Sequence, residues 1–153
     1  MELVFWIILG FALGLFVYQG LRLKPYKCSQ GKLTLGVGRN IEDNGITTEE
    51  AMYLLTNDIH NTIEELENVF EDFPDLPVNA QLVLADMCFN LGLPTLLEFK
   101  KMLKAIEEEK WEEAGKQVLD SRYAKQVGER AIYNAHLLET ADKDVWETKL
   151  KLK

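Results

Sequence analysis

A run of sixteen residues near the start of the chain, from Leu3 to Tyr18, contains no charged or amide side chain. A helix built from this run is apolar on all sides, and such helices are either fully buried or lie in a membrane. At about 1.5 Å per residue the run spans roughly 24 Å, slightly less than the roughly 30 Å hydrocarbon core of a bilayer. We expect residues 1–18 to form an apolar helix that contacts a membrane as an anchor; a buried first helix is the alternative.

Charge is distributed unevenly along the chain, whose net charge is −8. Residues 19–40 carry five basic side chains and no acidic one, whereas the chain beyond them is strongly acidic. An acidic domain repels the phosphate backbone that dominates nucleic-acid binding, and no nucleic-acid motif is present. Nucleic acid is therefore excluded as a partner. The basic stretch favours a solvated surface, with an anionic polymer as the alternative ligand.

Cysteine and histidine are too sparse to indicate a metal site. Cys28 and Cys88 lie sixty residues apart, and His60 and His136 have no partners at ligand spacing. We expect no metal and no cofactor. Cys88 lies within an apolar helical run, where a buried free thiol is the usual interpretation.

The remaining pattern predicts a small β region followed by helices. β-favouring residues from Leu23 to Val37, interrupted by proline and glycine, predict a hairpin or meander. Thr47 and Glu50 form a capping box that opens a long helix, and helical periodicity resumes over 79–91, 95–108, 111–119 and 127–138. We predict an α+β, mostly α fold with a β-hairpin lobe (19–46), a connecting helix (47–72) and a helical C-terminal lobe (73–146). A tail at 147–153 is expected to pack poorly.

Several ordered motifs carry a family resemblance. They run from Gln19 to Lys27, from Gly31 to Gly38 and from Phe89 to Gly92, with Gly45-Ile46-Thr47 between them and Arg130-Ala131 after them. Over residues 19–140 the chain resembles the phage-type lysozymes (endolysins) of glycoside hydrolase family 24. The resemblance implies a lysozyme-like fold with a cleft between its lobes. It also implies hydrolysis of the β-1,4 bond between N-acetylmuramic acid and N-acetylglucosamine in peptidoglycan, the cell-wall polymer that would be the partner.

The resemblance also implies a catalytic set. The family has a glutamate, an aspartate or sometimes a cysteine, and a threonine at the positions held here by Gln19, Cys28 and Thr34. Gln19 carries an amide, which donates hydrogen bonds but releases no proton near neutral pH. Because loss of a general acid costs about 10²- to 10⁴-fold in rate, we expect low activity. A cysteine is tolerated in the family, and its thiol ionises more readily near a cation, while Thr34 is expected to position a water molecule.

Three further residues take expected roles from the resemblance. Asn90 and Gly36 are candidate substrate-binding residues. Arg130 matches the basic residue that pairs with the family's catalytic glutamate, so it is expected to support the site by hydrogen-bonding to Gln19.

Three interpretations follow from Gln19. The first is a lysozyme of low activity, located at a membrane or in the periplasm or cell envelope of an infected or lysogenic bacterium. The second is a membrane-anchored, catalytically inactive module, a pseudoenzyme, that still binds peptidoglycan. The third is a laboratory replacement of a natural glutamate. The sequence leaves all three open, so whether the chain is an enzyme is open as well.

Overall fold

The structure, a computed structural model, describes residues 2–141, apart from the side chains of Glu2, Leu3 and Trp6. The chain divides into two compact units, the first ending at Leu54 and the second beginning at Leu55. The predicted fold class is confirmed, because the described chain is mostly helical with a small antiparallel sheet in its first unit. The tail predicted at 147–153 lies outside the described residues.

The first element is helix α1, Glu2–Gln19, which confirms the predicted apolar N-terminal helix. Most of its described side chains are exposed, among them Val17 and Tyr18. Within residues 2–141, however, no helix combines the length and the apolar character needed to cross a membrane. The predicted membrane-spanning anchor over residues 3–18 is therefore not found.

A three-stranded antiparallel meander follows α1. Its strands are β1 (Arg22–Lys27), β2 (Leu33–Gly36) and β3 (Arg39–Asn40), in the order β1-β2-β3. The β1–β2 register is irregular between Arg22 and Tyr26, where Pro25 has no N–H to donate to the ladder. Asn40 then caps the short helix α2 (Ile41–Asn44), since its side chain accepts the N–H groups of Glu42 and Asp43.

The long helix α3, Thr48–Val69, begins as the sequence predicts. The N–H of Thr47 donates to Glu50 Oε2 at 2.7 Å, and the N–H of Glu50 donates to Thr47 Oγ1 at 3.2 Å. These two bonds are the capping box, which satisfies N–H groups that a helix start leaves unpaired. A short 3-10 helix at Phe73–Asp75, which contains Pro74, follows the end of α3.

The second unit is helical beyond α3 and contains the apolar core. Its further helices are α4 (Val78–Leu91), α5 (Leu93–Leu96), α6 (Lys100–Glu107), α7 (Trp111–Leu119), α8 (Arg122–Val127) and α9 (Glu129–Glu139). The side chains at the centre of the core, including Leu66, Leu84, Met87, Met102 and Leu138, are almost completely buried. The apolar periodicity seen in the sequence is therefore the face that each helix buries.

Two of the predicted helices have different limits in the structure. The segment expected at 95–108 is split into α5 and α6, with a break at Leu97–Phe99. The segment expected at 127–138 begins instead at Glu129, because Gly128 adopts a φ of 56° and separates α8 from α9. Periodicity continues across such breaks, since the helices on both sides bury apolar residues in the same core.

Candidate active site

Gln19 is the last residue of α1, and its side chain is exposed. Gly20 follows with a φ of 68°, and its N–H donates to the carbonyl oxygen of Phe16 at 3.0 Å. The Gln19 amide lies against Gly38, in the turn between β2 and β3, where a Cβ would overlap Oε1 of the amide. Gly38 has a φ of 76°, so glycine at this position both forms the turn and leaves room for the amide.

Cys28 lies in the tight turn that follows β1. Its N–H donates to the carbonyl oxygen of Lys32 at 3.0 Å, and its own carbonyl accepts the N–H of Gly31 at 2.8 Å. Backbone hydrogen bonds from Gln30 and Lys32 lower the pKa of the half-buried Cys28 thiol; burial acts in the opposite direction, and the Thr34 hydroxyl adds to the lowering. The turn therefore shifts the ionisation of the Cys28 thiol towards the thiolate.

Thr34 lies on the central strand β2, where it pairs with Tyr26 of β1 and Asn40 of β3. Its side chain is buried, and Oγ1 donates to the carbonyl oxygen of Lys32 at 3.0 Å. The same hydroxyl is close enough to the Cys28 sulfur to lower the pKa of the thiol. The structure thus brings together two of the three predicted catalytic positions.

Gly36, a candidate substrate-binding residue, ends β2 opposite Arg22 of β1. It has a φ of 65°, and a Cβ built there would meet no other atom within 4 Å. Gly36 therefore has open space on the side where another residue would carry its side chain.

The described carboxylates of the first unit are all engaged in local hydrogen bonds. They are Glu42, Asp43, Glu49 and Glu50. Lys32 Nζ lies 3.4 Å from Glu42 and 2.8 Å from Asp43, and Arg39 lies 2.8 Å from Glu50. The hydrogen bond from Lys32, and then that from Asn40, lowers the pKa of Asp43. Because these groups are held by cations or by the start of α3, none of the described carboxylates of the first unit is placed to replace the acid that the family resemblance leads us to expect at position 19.

In the second unit, Asn90 and Arg130 both bind Asp86, a residue that the sequence analysis did not single out. Asn90 lies one turn after Asp86 on α4, and its Nδ2 donates to the Asp86 carbonyl oxygen at 2.6 Å. Nε of Arg130, on α9, lies 3.0 Å from each carboxylate oxygen of Asp86, and Nη2 donates to Oδ1 as well. Asp86 therefore joins the two candidate residues of this unit.

A buried side-chain amide also donates a hydrogen bond to Asp86. Asn134 is 1% exposed, and its Nδ2 donates to Asp86 Oδ2 at 2.8 Å and to the Tyr123 hydroxyl at 3.2 Å. Burial by itself would raise the pKa of Asp86, but the hydrogen bonds from Arg130 and Asn134 and the charge of Arg130 outweigh it and lower that pKa. Asp86 is therefore held in its ionised form.

The hydrogen-bond network around Asp86 corresponds to a weak pattern in the sequence. Asp86 and Asn90 are four residues apart, and so are Arg130 and Asn134, so each pair lies on one face of its helix. Such pairs are usually solvated, and only the packing of α4 against α9 shows that these meet. The expected hydrogen bond between Arg130 and Gln19 stays a prediction, because the two residues belong to different units and each unit is described by itself.

Comparison with known proteins places residues 17–136 within the model of one family, described as phage lysozyme. The chain is 28% identical over 152 residues to the "Probable T4-type lysozyme 2" of Dictyostelium discoideum, which covers 80% of this chain and 89% of that protein. It is 33% identical over 117 residues to the "Endolysin" of Acyrthosiphon pisum secondary endosymbiont phage 1, which covers 74% of this chain and 77% of that protein.

Proposed function

The chain belongs to the phage lysozyme family, and from this membership we propose that it hydrolyses the β-1,4 bond between N-acetylmuramic acid and N-acetylglucosamine in peptidoglycan. The observation that carries the proposal is the family match over residues 17–136, which includes both the turn around Cys28 and Thr34 and the cluster around Asp86. Its site of action is the bacterial cell wall. The rate is held low by the amide at Gln19.

The reason for the low rate is the leaving group. Cleavage of a glycosidic bond expels an alkoxide, which leaves readily only when an acid protonates the departing oxygen. The family resemblance puts that task at position 19, where the Gln19 amide donates a hydrogen bond but transfers no proton. The expected deficit is about 10²- to 10⁴-fold relative to a glutamate at the same position.

Cys28 and Thr34 suit the second half of the reaction. The transition state of glycoside hydrolysis has the character of an oxocarbenium cation, which a nearby negative charge stabilises. A Cys28 thiolate favoured by its turn supplies such a charge, and the buried Thr34 hydroxyl beside it orients a water molecule. The proposed roles are therefore charge stabilisation for Cys28 and water positioning for Thr34.

A second candidate function rests on Gln19 itself. With an amide at position 19, the chain retains hydrogen-bonding groups for a glycan but lacks the acid, which suits a module that binds peptidoglycan without cleaving it. Asn90 and Gly36 are the proposed glycan contacts in either case. Both candidate functions include binding to peptidoglycan, and only hydrolysis of the glycan distinguishes one from the other.

The activity test is the substitution Gln19→Glu. The variant should clear a suspension of purified peptidoglycan about 10²- to 10⁴-fold faster than the unsubstituted chain. Gln126→Glu, the same chemical change at an exposed residue of α8, is the matched control and should change nothing. If the Gln19→Glu protein folds but clears no faster, the proposed hydrolysis is wrong.

The binding test uses the unsubstituted chain. It should co-sediment with insoluble peptidoglycan, since both candidate functions require binding. Failure to co-sediment, together with failure of Gln19→Glu to restore turnover, removes both candidates. Binding without turnover in the Gln19→Glu variant leaves the inactive module as the function.

A further inference from the structure

A groove of about 770 Å³ lies in the second unit, and all the residues that line it belong to that unit. It runs between the segment that follows α3 and the helices α6 and α7. Its apolar floor includes Leu84, Leu103, Ile106 and Trp111, of which Leu103 and Trp111 are only half-buried. Both of these pack against the buried core. The groove is therefore a place where the described residues of the second unit leave their own core partly uncovered.

Carboxylates form the rim of this groove. Two lysines also line it, and one of them, Lys104, pairs with Glu108 at 3.7 Å. The rim carboxylates form no ion pair with a cation among residues 2–141; they are Glu71, Asp72, Asp75, Glu107 and Glu109. A segment that combines apolar with basic side chains is complementary to an apolar floor with an acidic rim.

The end of α9 lies beside the groove. The carbonyl oxygen of Thr140 accepts a hydrogen bond from Nδ2 of Asn79 at 3.1 Å. Asn79 follows the groove residue Pro77 by two positions, so their Cα atoms are at most about 7.6 Å apart. Glu139 lines a neighbouring depression that shares Trp111 with the groove. The residues that follow α9 therefore start next to the groove.

A buried acceptor lies at the same place. Asn79 is fully buried, and its Oδ1 has no hydrogen-bond partner among residues 2–141. Buried polar groups are almost always paired, and the chain continues from the very residue that Asn79 binds. An N–H group just beyond Ala141 is suited to donate to Oδ1, and such a bond directs the chain towards the start of α4 and the groove.

We propose that the tail, residues 147–153, lies in this groove. Lysine and leucine alternate from Lys149 to Lys153. In an extended segment successive side chains point to opposite sides, so Leu150 and Leu152 face the floor together. The lysines point the other way, and their long side chains bend towards the acidic rim. Residues 142–146 connect Ala141 to the tail and span up to about 17 Å when extended, which is enough to reach the groove.

Charge and connection favour the tail over other occupants. The tail contains three lysines and one acidic residue, whereas α1 contains no basic side chain. A second copy of the chain, with its net charge of −8, meets the acidic rim with a surface of mostly like charge. A short tether also holds the tail near the groove at an effective concentration on the order of millimolar. The proposal concerns the second unit alone and is independent of the proposed hydrolysis.

Carbodiimide cross-linking of the full chain tests the proposal, because this reagent joins a lysine amine to a carboxylate that it contacts. The tail lysines should cross-link to the rim carboxylates about tenfold more often than to Asp120 and Glu129, exposed acids elsewhere in the same unit. Peptide mass spectrometry identifies the linked pairs. An equal mixture of unlabelled and isotope-labelled protein shows whether each pair comes from one copy or from two.

The apolar part of the contact is tested by the double substitution Leu150→Asn and Leu152→Asn, which keeps every lysine. It should reduce cross-linking to the rim about tenfold, because the apolar side chains no longer hold the tail on the floor. Thr148→Asn, a change from one polar side chain to another, is the matched control and should leave the cross-links unchanged.

The rim is tested separately, in case the double variant fails to fold. Glu107→Lys should weaken cross-linking of the tail to the remaining rim carboxylates, whereas Glu129→Lys, the same change outside the groove, should not. Cross-links that form only between copies assign the groove to a second chain and overturn the proposal. It is also overturned if the tail does not cross-link to the rim, or if the double variant cross-links as the unsubstituted chain does, since tethering alone then explains the contact.

Discussion

The two units of this chain are held together in different ways. In the first unit, Thr34 is the one buried side chain among the described residues, and the candidate catalytic positions rest on backbone turns and exposed ion pairs. The second unit contains the buried apolar cluster of the described chain, and its candidate residues rest on a hydrogen-bond network anchored in that cluster. The geometry around the candidate residues Cys28 and Thr34 is thus set by turn chemistry, and that around Arg130 by core packing.

The largest expected contrast between the units is in stability. Leu84, 1% exposed in α4, should cost about 2–5 kcal/mol of unfolding free energy when replaced by alanine, because the change leaves a cavity in the core. Leu23 on β1 is 81% exposed, so Leu23→Ala should cost less than about 0.5 kcal/mol. Urea unfolding of both variants measures the difference. Equal losses would show that the first unit depends on apolar packing as much as the second.

The two thiols should report the same contrast through their reactivity. Burial, and then Glu65, raises the pKa of Cys88, whereas hydrogen bonds in its turn lower the pKa of Cys28. Iodoacetamide should therefore modify Cys28 on the order of a hundredfold faster than Cys88 in the folded protein, as expected for a thiolate against a buried thiol. Peptide mass spectrometry over a range of pH gives both rates.

Thr34→Val sharpens this test. Loss of the hydroxyl should move the labelling of Cys28 to higher pH, while Thr48→Val, at an exposed residue of α3, should have no effect. The account of the turn is wrong if Cys88 reacts first or if Thr34→Val leaves the pH dependence unchanged.

A smaller loss of stability is expected when the hydrogen-bond network around Asp86 is changed. The folded-state pKa of Asp86 is lowered, so its ion pair stabilises the fold above the unfolded-state value of about 3.9 and is lost as the pH falls through the folded-state value. Asp86→Asn should therefore cost about 1–2 kcal/mol near neutral pH, and this cost should shrink below about pH 4. Thermal unfolding at both pH values tests the sign. A cost that grows on acidification would contradict the lowered pKa.

Local features of the sequence predicted most of the secondary structure. The capping box of Thr47 and Glu50, the broken β region around Pro25 and the apolar periodicity of the helices depend on neighbours in the chain, and each has its counterpart in the structure. The apolar run of α1 predicted a helix as well, but no membrane span is found among the helices of residues 2–141. A local sequence pattern predicts whether a segment is a helix or a strand better than it predicts what that segment contacts.

Local sequence patterns predicted the candidate site less completely than they predicted the secondary structure. Spacing and resemblance selected Cys28 and Thr34, which the structure brings together, because both lie within one short meander. They did not select Asp86, whose partners Arg130 and Asn134 lie 44 and 48 residues further along the chain. A contact of that range depends on how α4 packs against α9, and an aspartate on a helix otherwise indicates a solvated face.

The most direct test of the central claim is a count of the new reducing ends that Gln19→Glu and the unsubstituted chain release from purified peptidoglycan, with the reducing sugar identified after borohydride reduction. If one missing acid at position 19 limits a muramidase, the variant should release them about 10²- to 10⁴-fold faster, and the reduced sugar should be muramitol. Equal rates for the two proteins, or release of reduced glucosamine instead, would contradict the account.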